Sequence, residues 1–258
     1  MATAIHPTAV VESGAEIAED VSIGAYAYVG QEVYLGARCE VRHHATVDGR
    51  SILGQENVIH PYAFIGGLTQ DLKYQGGSPG LRIGNGNVFR EYATVHVSTS
   101  AERETLVGNR NTILAYAHIA HDCVVGDDNI FSSLAALGGH CVIGNFTNIA
   151  WNAGIHQFVK VGNYAMAAAS SVVTMDLPPF MLAQGAPARV RTFNRVLLER
   201  QGFSEEDIAE VKYIYKLLYR SYCTRKKALR TLERKRRVAG DVFDQVLSFA
   251  AQSERGFC

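Results

Sequence analysis

The chain has 258 residues, 47% of them hydrophobic and 19% charged, and its formal net charge at pH 7 is zero. This composition is ordinary for a globular protein, gives no sign of a nucleic-acid partner, and by itself indicates no function. No run approaches the roughly 18 apolar residues that a membrane span needs, and the first residues lack the basic and apolar regions of a signal peptide, so we expect a cytoplasmic protein without a membrane span.

Aliphatic residues recur at every sixth position over most of the chain. The series runs through Ile5, Val11, Ile17, Ile23, Val29, Leu35, Val41, Val47, Leu53, Ile59 and Ile65, and resumes in phase at Ile83, Phe89, Val95, Val107, Ile113, Ile119, Val125, Phe131, Leu137, Ile143, Ile149, Ile155, Val161 and Val173. Neither the helix period of 3.6 nor the strand period of 2 would hold this phase for so long. Three hexads make an 18-residue coil with three flat faces, so the repeat predicts a parallel β-helix of about ten coils ending near Pro179.

Glycines and polar insertions mark the corners of this solenoid. A glycine follows the aliphatic residue in many hexads, as at Gly54 and Gly108, where a corner must turn with little side-chain crowding. Two polar segments, residues 66–80 and 97–106, interrupt the hexads but keep their phase. Excursions from a rigid solenoid lie on its surface, so we expect both to be loops that carry function.

The hexads end at Pro178-Pro179, and helical patterns follow at 189–201, 204–220, 224–237 and 241–253. Ser204 with Asp207 predicts the N-cap of the second helix.

The charge balance changes at the same place. Residues 1–187 hold 9 Lys and Arg against 16 Asp and Glu, whereas residues 188–237 hold 15 against 6. We predict two domains, a β-helix with the catalytic face over 1–187 and a small α-helical C-terminal domain over 188–258. The basic surface of the second domain either docks an acidic partner or is a solvated helix face.

Histidines cluster in consecutive coils. All nine lie between His6 and His156, and His118, His121, His140 and His156 fall within three coils. Because residues 18 apart stack, His121 lies below Gly139 and Gln157, and Asp122 lies below His140. A solvated surface would explain one outward histidine, but the cluster with an adjacent carboxylate favours function, since imidazole suits general-base removal of a hydroxyl proton.

Other chemistries lack a motif. The sequence has no GxSxG elbow, P-loop or GxGxxG fingerprint, and its five cysteines are odd in number and never paired as CxxC, so we expect free thiols. Zinc binding through His118 and His121 would lack the helical spacing of an HExxH site, and we predict no metal and no cofactor.

A flat solenoid face needs a second wall from a loop or another subunit, which a homotrimer with sites between prisms would provide.

Several motifs, in order over nearly the whole chain, resemble the UDP-N-acetylglucosamine acyltransferase family of lipid A biosynthesis. They are AYAHIAHDC at 115–123, QDLKY at 70–74, GGH at 138–140, GIHQF at 154–158, DLPPF at 176–180 and GFS at 202–204. The resemblance implies a left-handed coil and transfer of an (R)-3-hydroxyacyl group from acyl carrier protein to the glucosamine 3-hydroxyl of UDP-N-acetylglucosamine, the first step of lipid A biosynthesis.

The resemblance also implies roles for individual residues. His121 matches the general base, Asp122 its orienting partner, and the backbone N–H of Gly139 the donor to the thioester oxyanion. Substrate contacts are implied for His118, His140, His156 and Gln157, for Asp71 and Lys73 of the first loop, and for Asn194 and Arg200 of the helical domain.

One column in the family sets the acyl-chain length, and here it holds Ala169 with Trp151 one coil below. A methyl group and an indole should shorten the groove, so we predict a chain of fewer than fourteen carbons, unless Trp151 turns away or packs at the trimer contact.

The sequence departs from the family at two places. A second basic residue after Arg200 is replaced by Gln201, and the loop after His96 reads Val-Ser-Thr where relatives carry Arg-Gly. The related N-acyltransferase carries an extra N-terminal uridine-binding domain, whereas the repeats here begin at Ile5, which favours the O-acyltransferase.

Three other hypotheses stay open: an acyltransferase that uses coenzyme A or a diamino-sugar nucleotide, a metal-dependent β-helix similar to carbonic anhydrase, and a scaffold without catalysis. The polar cluster and the interrupted coils argue against the scaffold.

Overall fold

A computed structural model of the chain describes residues 2–238 and 240–258. Met1 and Ala239, which fall within the two predicted domains, lie outside the described residues. Within the described ranges, no helix has the length and apolar character needed to cross a membrane.

Twenty-eight short strands and four helices follow one another in the described chain. The strands are β1 Ala4–Ile5, β2 Val10–Val11, β3 Glu16–Ile17, β4 Ser22–Ile23, β5 Tyr28–Val29, β6 Tyr34–Leu35, β7 Glu40–Val41, β8 Thr46–Val47, β9 Arg50–Leu53, β10 Val58–Ile59, β11 Phe64–Gly67, β12 Gly80–Ile83, β13 Val88–Phe89, β14 Thr94–His96, β15 Glu104–Val107, β16 Thr112–Ile113, β17 His118–Ile119, β18 Val124–Val125, β19 Ile130–Phe131, β20 Ala136–Leu137, β21 Val142–Ile143, β22 Asn148–Ile149, β23 Gly154–Ile155, β24 Lys160–Val161, β25 Met166–Ala167, β26 Val172–Val173, β27 Met181–Gly185 and β28 Ala188–Phe193. The helices are α1 Arg195–Arg200, α2 Glu205–Tyr219, α3 Arg225–Glu233 and α4 Val242–Gln252.

The strands enter three sheets in turn, as an 18-residue coil requires. Sheet A has the order β1-β4-β7-β10-β13-β16-β19-β22-β25-β27-β28, sheet B the order β2-β5-β8-β11-β14-β17-β20-β23-β26, and sheet C the order β24-β21-β18-β15-β12-β9-β6-β3. All neighbours pair in parallel except β27 with β28. The hexad prediction of a parallel β-helix with about ten coils is confirmed.

The three edges of this triangular prism are named here by the sheets they join. The A–B corner includes Tyr116 and Asn152, the B–C corner includes Asp122 and His140, and the C–A corner includes Arg110 and Tyr164. Each of these residues has a positive φ of 53° to 61°. The turn itself is therefore made by non-glycine residues in the left-handed region, three positions after the inward aliphatic residue.

The hexad glycines serve close packing between coils instead. A Cβ on Gly108 would lie 2.6 Å from the carbonyl oxygen of Gly126 in the next coil. As predicted, these positions leave no room for a side chain, but the glycines are not the residues that turn the chain.

The interior of the prism is a continuous column of aliphatic and aromatic side chains, including the fully buried Phe89 and Phe131. A buried polar ladder runs beside it. The Asn57 Oδ1 accepts the backbone N–H of Asn87 at 2.9 Å, and Asn87 Oδ1 accepts that of Asn111 at 2.9 Å, so each side chain fixes the register of the next coil.

The C-terminal segment differs from the predicted pattern at its start. Residues 189–201 were expected to be one helix, and that prediction is wrong for 189–193, which belong to β28. The last parallel strand, β27, has an open edge whose backbone groups need partners, and β28 supplies them. Helices then follow, with Ser204 Oγ accepting the N–H of Asp207 at 3.1 Å as the N-cap predicted.

All five cysteines are free thiols, as expected, and Cys39, Cys123, Cys141 and Cys258 are buried.

Candidate active site

Both predicted loops leave the prism at the B–C corner. The first, residues 68–79, joins β11 to β12, and the second, residues 97–103, joins β14 to β15. Since β11, β14 and β17 are neighbours in sheet B, the second loop lies one coil and the first loop two coils from the turn that carries His121 and Asp122. The solenoid thus places its irregular segments beside its histidine cluster.

His121 and Asp122 form a hydrogen-bonded pair at this corner. His121 Nδ1 lies 2.8 Å from Asp122 Oδ2, and the Asp122 side chain is only 4% exposed. The same oxygen accepts the backbone N–H of Thr99 at 3.1 Å. Burial opposes ionisation of Asp122, but the hydrogen bonds from His121 and Thr99 outweigh it and lower the pKa of the carboxyl group. An ionised Asp122 holds the proton of His121 on Nδ1 and leaves the lone pair of Nε2 free.

Gly139 lies against the His121 ring, one coil above it. A Cβ at this position would be 2.6 Å from Nε2, so a larger residue would displace the imidazole. The backbone N–H of Gly139 donates no hydrogen bond to the described part of the chain, whereas its carbonyl accepts the N–H of Phe158 at 3.0 Å. A free N–H beside a free imidazole lone pair can bind an oxyanion next to a base.

His140 and Asp71 complete the surroundings of His121. The His140 ring stacks on Phe158 at 4.6 Å and meets the His121 ring edge-on at 5.3 Å. Burial is the main cause that lowers the pKa of His140, although the charge of Asp122 opposes the shift. The first loop brings Asp71 to the same place, so that one ligand-type atom each of Asp71, His121 and His140 lies within 4.8 Å of the others.

This trio is the candidate cation site in the described residues. A structural zinc site is closed by four ligands at about 2.0–2.1 Å, whereas this trio supplies three.

Two further histidines, His118 and His96, lie close to the His121–Asp122 pair. His118 Nδ1 is 2.7 Å from the hydroxyl oxygen of Thr94, and its ring meets that of His96 edge-on at 4.9 Å. Burial, and then the proximity of His121, lower the pKa of His118. Burial, and then His118 and His121, lower the pKa of His96 to about 4. The buried Nδ1 of His96 has no hydrogen-bond partner in the described protein, a feature that the sequence did not single out.

The other predicted contacts of the first domain are also at the B–C corner. His156 and Gln157 are exposed one coil above Gly138 and Gly139, and Lys73 is exposed on the first loop, where its N–H is bonded to Asp71 Oδ1 at 2.9 Å.

The remaining predicted residues lie at different corners. Asn194 is buried at the C–A corner, where its side-chain amide donates to the carbonyl of Tyr164 at 3.0 Å, and Arg200 is exposed at the end of α1. Trp151 and Ala169 are exposed at the A–B corner. Each face of a coil spans five or six residues at about 3.3 Å, which separates neighbouring corners by roughly 15–20 Å. Within one chain, the three groups do not form one site.

Comparison with known proteins places these features in a family. The sequence profile of the family described as UDP-N-acetylglucosamine O-acyltransferase, domain 2, matches residues 176–258. The chain is 43% identical over 257 residues to the acyl-[acyl-carrier-protein]--UDP-N-acetylglucosamine O-acyltransferase of Thiobacillus denitrificans, covering 99% of both chains.

Solved structures show the same fold. UDP-N-acetylglucosamine acyltransferase of Francisella novicida superposes with a TM-score of 0.93 at 33% identity, over 98% of this chain and 93% of that one. The Moraxella catarrhalis O-acyltransferase gives 0.92 at 34% identity, over 98% of each chain. The coil is left-handed in this fold and a helical domain follows it, as the resemblance implied.

Proposed function

Because the chain belongs to the UDP-N-acetylglucosamine O-acyltransferase family, we propose that this acyltransferase moves an (R)-3-hydroxyacyl group from acyl carrier protein to the glucosamine 3-hydroxyl of UDP-N-acetylglucosamine. The reaction opens lipid A biosynthesis. The observation that carries the chemistry is the contact of 2.8 Å between His121 Nδ1 and Asp122, with Nε2 left free beside the N–H of Gly139.

The proposed reaction proceeds in two steps. His121 Nε2 takes the proton of the 3-hydroxyl while that oxygen attacks the thioester carbonyl carbon, and the carbonyl oxygen becomes an oxyanion that accepts the N–H of Gly139. The intermediate then collapses with cleavage of the carbon–sulfur bond, and the proton on Nε2 passes to the leaving thiolate. Asp122 stabilises the imidazolium between the two steps. Base and proton donor are the same residue, so the cycle returns His121 to its starting state.

The substrate contacts follow from the position of the B–C corner. Asp71 and His140 lie next to His121, with Lys73 exposed on the same loop as Asp71 and His118 on the strand that precedes His121. His156 and Gln157 extend the polar column one coil higher. We propose that this column holds the sugar and its phosphates, since hydroxyl and phosphate oxygens need many donors and acceptors around them.

The site is proposed to lie between subunits of a homotrimer. Asn194 and Phe203, on either side of α1, both contact Tyr164, so Arg200 at the end of α1 lies near the C–A corner as well. Neither Asn194 nor Arg200 can reach a sugar held at the B–C corner of the same prism. The A–B corner also carries an exposed column of stacked rings, in which Tyr62, Tyr92 and Tyr116 follow one another at 5.2 Å and 4.8 Å. An apolar strip of this kind suits a permanent subunit contact.

Turnover of defined substrates tests the chemistry. Purified protein is given UDP-N-acetylglucosamine and hydroxyacyl carrier protein, and the product is identified by mass spectrometry; parallel reactions replace the carrier by coenzyme A or the acceptor by the 3-amino sugar nucleotide. We expect His121→Ala to lower kcat by roughly 10²–10⁴ and the exposed His6→Ala, the matched control, to leave it unchanged. Near-normal turnover by His121→Ala would refute the assignment of the base.

Mixing of subunits tests the trimer. If His121 and Arg200 meet across an interface, random assortment of His121→Ala with Arg200→Ala subunits restores about a quarter of the sites, and light scattering gives three times the 28.2 kDa chain mass. A fully active monomer, or mixing without any recovery, would contradict a shared site.

A further inference from the structure

Two threonines from the inserted loops form a chain of contacts that ends at the His121–Asp122 pair. Thr99 of the second loop places its hydroxyl oxygen 3.0 Å from His121 Nδ1 and donates its backbone N–H to Asp122 Oδ2. Thr69 of the first loop, which is 8% exposed, lies behind it with its hydroxyl oxygen 3.2 Å from that of Thr99. The chain of contacts continues to Asp71, whose N–H is bonded to Thr69 Oγ1 at 3.2 Å.

The backbone before Thr99 is held rigidly. Ser98 is fully buried, donates its hydroxyl to the carbonyl of Arg103 at 2.6 Å and accepts the N–H of Gly80 at 3.2 Å. The buried Val97 donates its N–H to the carbonyl of Gly67 at 2.9 Å. Val97 and Ser98 belong to the segment after His96 where the sequence departs from the family. The Ser98 hydroxyl and the Val97 backbone anchor that segment between two neighbouring coils.

We propose that Thr99 is a positioning residue for His121 and that the Thr69–Thr99 contact couples the substrate loop to the His121–Asp122 pair. This inference rests on the proposed role of His121 as the base. The Nδ1–H of His121 is shared between Asp122 and the Thr99 hydroxyl, and the Thr99 and Thr69 hydroxyl groups share the next hydrogen bond. Hydrogen bonds to a charged group are stronger than those to a neutral one, so this sharing stabilises the imidazolium that forms when Nε2 takes the substrate proton.

The coupling gives the first loop a route to the base. Asp71 is proposed to contact the substrate, and its N–H is bonded to the Thr69 hydroxyl, so a shift of this loop would also shift Thr69. Because the backbone of Thr99 is anchored, Thr69 can act on it only through the hydroxyl contact, which orients the Thr99 hydroxyl toward His121.

Substitutions of Thr99 and Thr69 test the proposal in the full-length protein. Thr99→Val removes the hydroxyl and keeps the backbone N–H and the shape; Thr99→Ser restores the hydroxyl; Thr112→Val makes the same change on sheet A as a control. We expect Thr99→Val to lower kcat about tenfold, equal to about 1.4 kcal/mol, with KM for the sugar nucleotide changed less than about twofold. Thr99→Ser should recover most of the rate.

The pH profile separates positioning from a structural effect. The titratable groups facing His121 are Asp71, His96, His118, Asp122 and His140, all retained in Thr99→Val. Losing an acceptor of the imidazolium proton should move the acid limb of kcat/KM to lower pH. Diethyl pyrocarbonate modifies the neutral imidazole of His121, and peptide mass spectrometry can follow this carbethoxylation in the absence of substrate. The pH at which its rate is half-maximal should also move to lower values.

The outcomes distinguish this inference from the proposed function. An active His121→Ala would overturn the base itself. An inactive His121→Ala with a Thr99→Val that keeps the wild-type rate and an unmoved acid limb would overturn only the role of Thr99. Thr69→Val tests the coupling in a double-mutant cycle. The losses of log kcat caused by Thr69→Val and Thr99→Val should be less than additive in the double variant, and full additivity would refute coupling through the Thr69–Thr99 contact.

Discussion

Replacing Asp122 by asparagine changes one charge in the buried pair and almost no volume. One carboxylate oxygen, Oδ2, accepts from His121 Nδ1 at 2.8 Å and from the N–H of Thr99 at 3.1 Å. The amide of asparagine can still offer an oxygen to both donors. The variant therefore isolates the charge of Asp122 from the shape of the corner.

The magnitude follows from the geometry. Unit charges about 4 Å apart attract by about 4 kcal/mol at an effective dielectric constant of 20, and the side chains of His121 and Asp122 are only 13% and 4% exposed, so solvent screens them little. The asparagine recovers part of this as a neutral hydrogen bond, which leaves about 2 kcal/mol of lost imidazolium stabilisation. We expect kcat to fall roughly thirtyfold, less than in His121→Ala.

The assay is kcat/KM against pH with saturating carrier substrate. The lowered pKa of Asp122 keeps the wild-type carboxyl ionised across the assay range, so the acid limb reports protonation of the base rather than of Asp122. In Asp122→Asn the limb should move to lower pH, because the imidazolium has lost its counter-charge.

Asp127→Asn is the matched control. Asp127 Oδ1 accepts the N–H of Asn109 at 2.7 Å in a column at the C–A corner where Asn85, Asn145 and Asn163 already serve as amides, so the variant should fold and turn over normally. An unmoved acid limb and a kcat within about threefold of wild type for Asp122→Asn would refute the reasoning.

Three further results are expected. Raising the salt concentration should raise KM for acyl carrier protein more than KM for the sugar nucleotide, because the basic surface of 189–237 would dock the acidic carrier, and equal sensitivity would indicate a solvated surface. The pKa of His96 is lowered to about 4, so the unfolded chain binds a proton that the folded chain does not, and stability is lost as pH falls from about 6.5 toward 4; His96→Gln should reduce that loss by roughly 3 kcal/mol in urea titrations, and unchanged pH slopes would contradict this. Trp151→Gly or Ala169→Gly should shift the acyl-chain optimum to greater length, and a wild type that prefers fourteen or more carbons over ten and twelve would contradict the ruler.

The sequence predicted the prism and the His121 column because both follow the 18-residue spacing. For residues in coils that contain an insertion, the stacking partner in the next coil is no longer 18 residues away. The loop of residues 97–103 makes its coil 24 residues long, so that Thr94 pairs with His118 and not with Thr112. His96 and Thr99 therefore fall outside any column counted in steps of 18, although both lie against predicted site residues. A count that added six residues for the insertion would have placed His96 beneath Ala120.

The error in the helical domain has a different cause. Residues 189–193 read as a helix because their local composition permits it, but the open edge of β27 is a tertiary feature that the local sequence does not contain. Satisfying that edge with backbone hydrogen bonds outweighs helix propensity, which is a weak preference.

The position of the loops explains how a flat solenoid acquires a concave site. Strands in the middle of a coil pair on both sides, so an insertion there would break two ladders, whereas an insertion at a corner leaves both intact. Both insertions use the B–C corner, and the first brings Asp71 within reach of His121 and His140 and thus builds one wall from the same chain. Asn194 and Arg200, at the C–A corner, remain too far away to form the opposite wall. Under the proposed reaction that wall must come from the C–A corner of a neighbouring prism, which makes the mixed-subunit experiment a test of the active site as much as of the assembly.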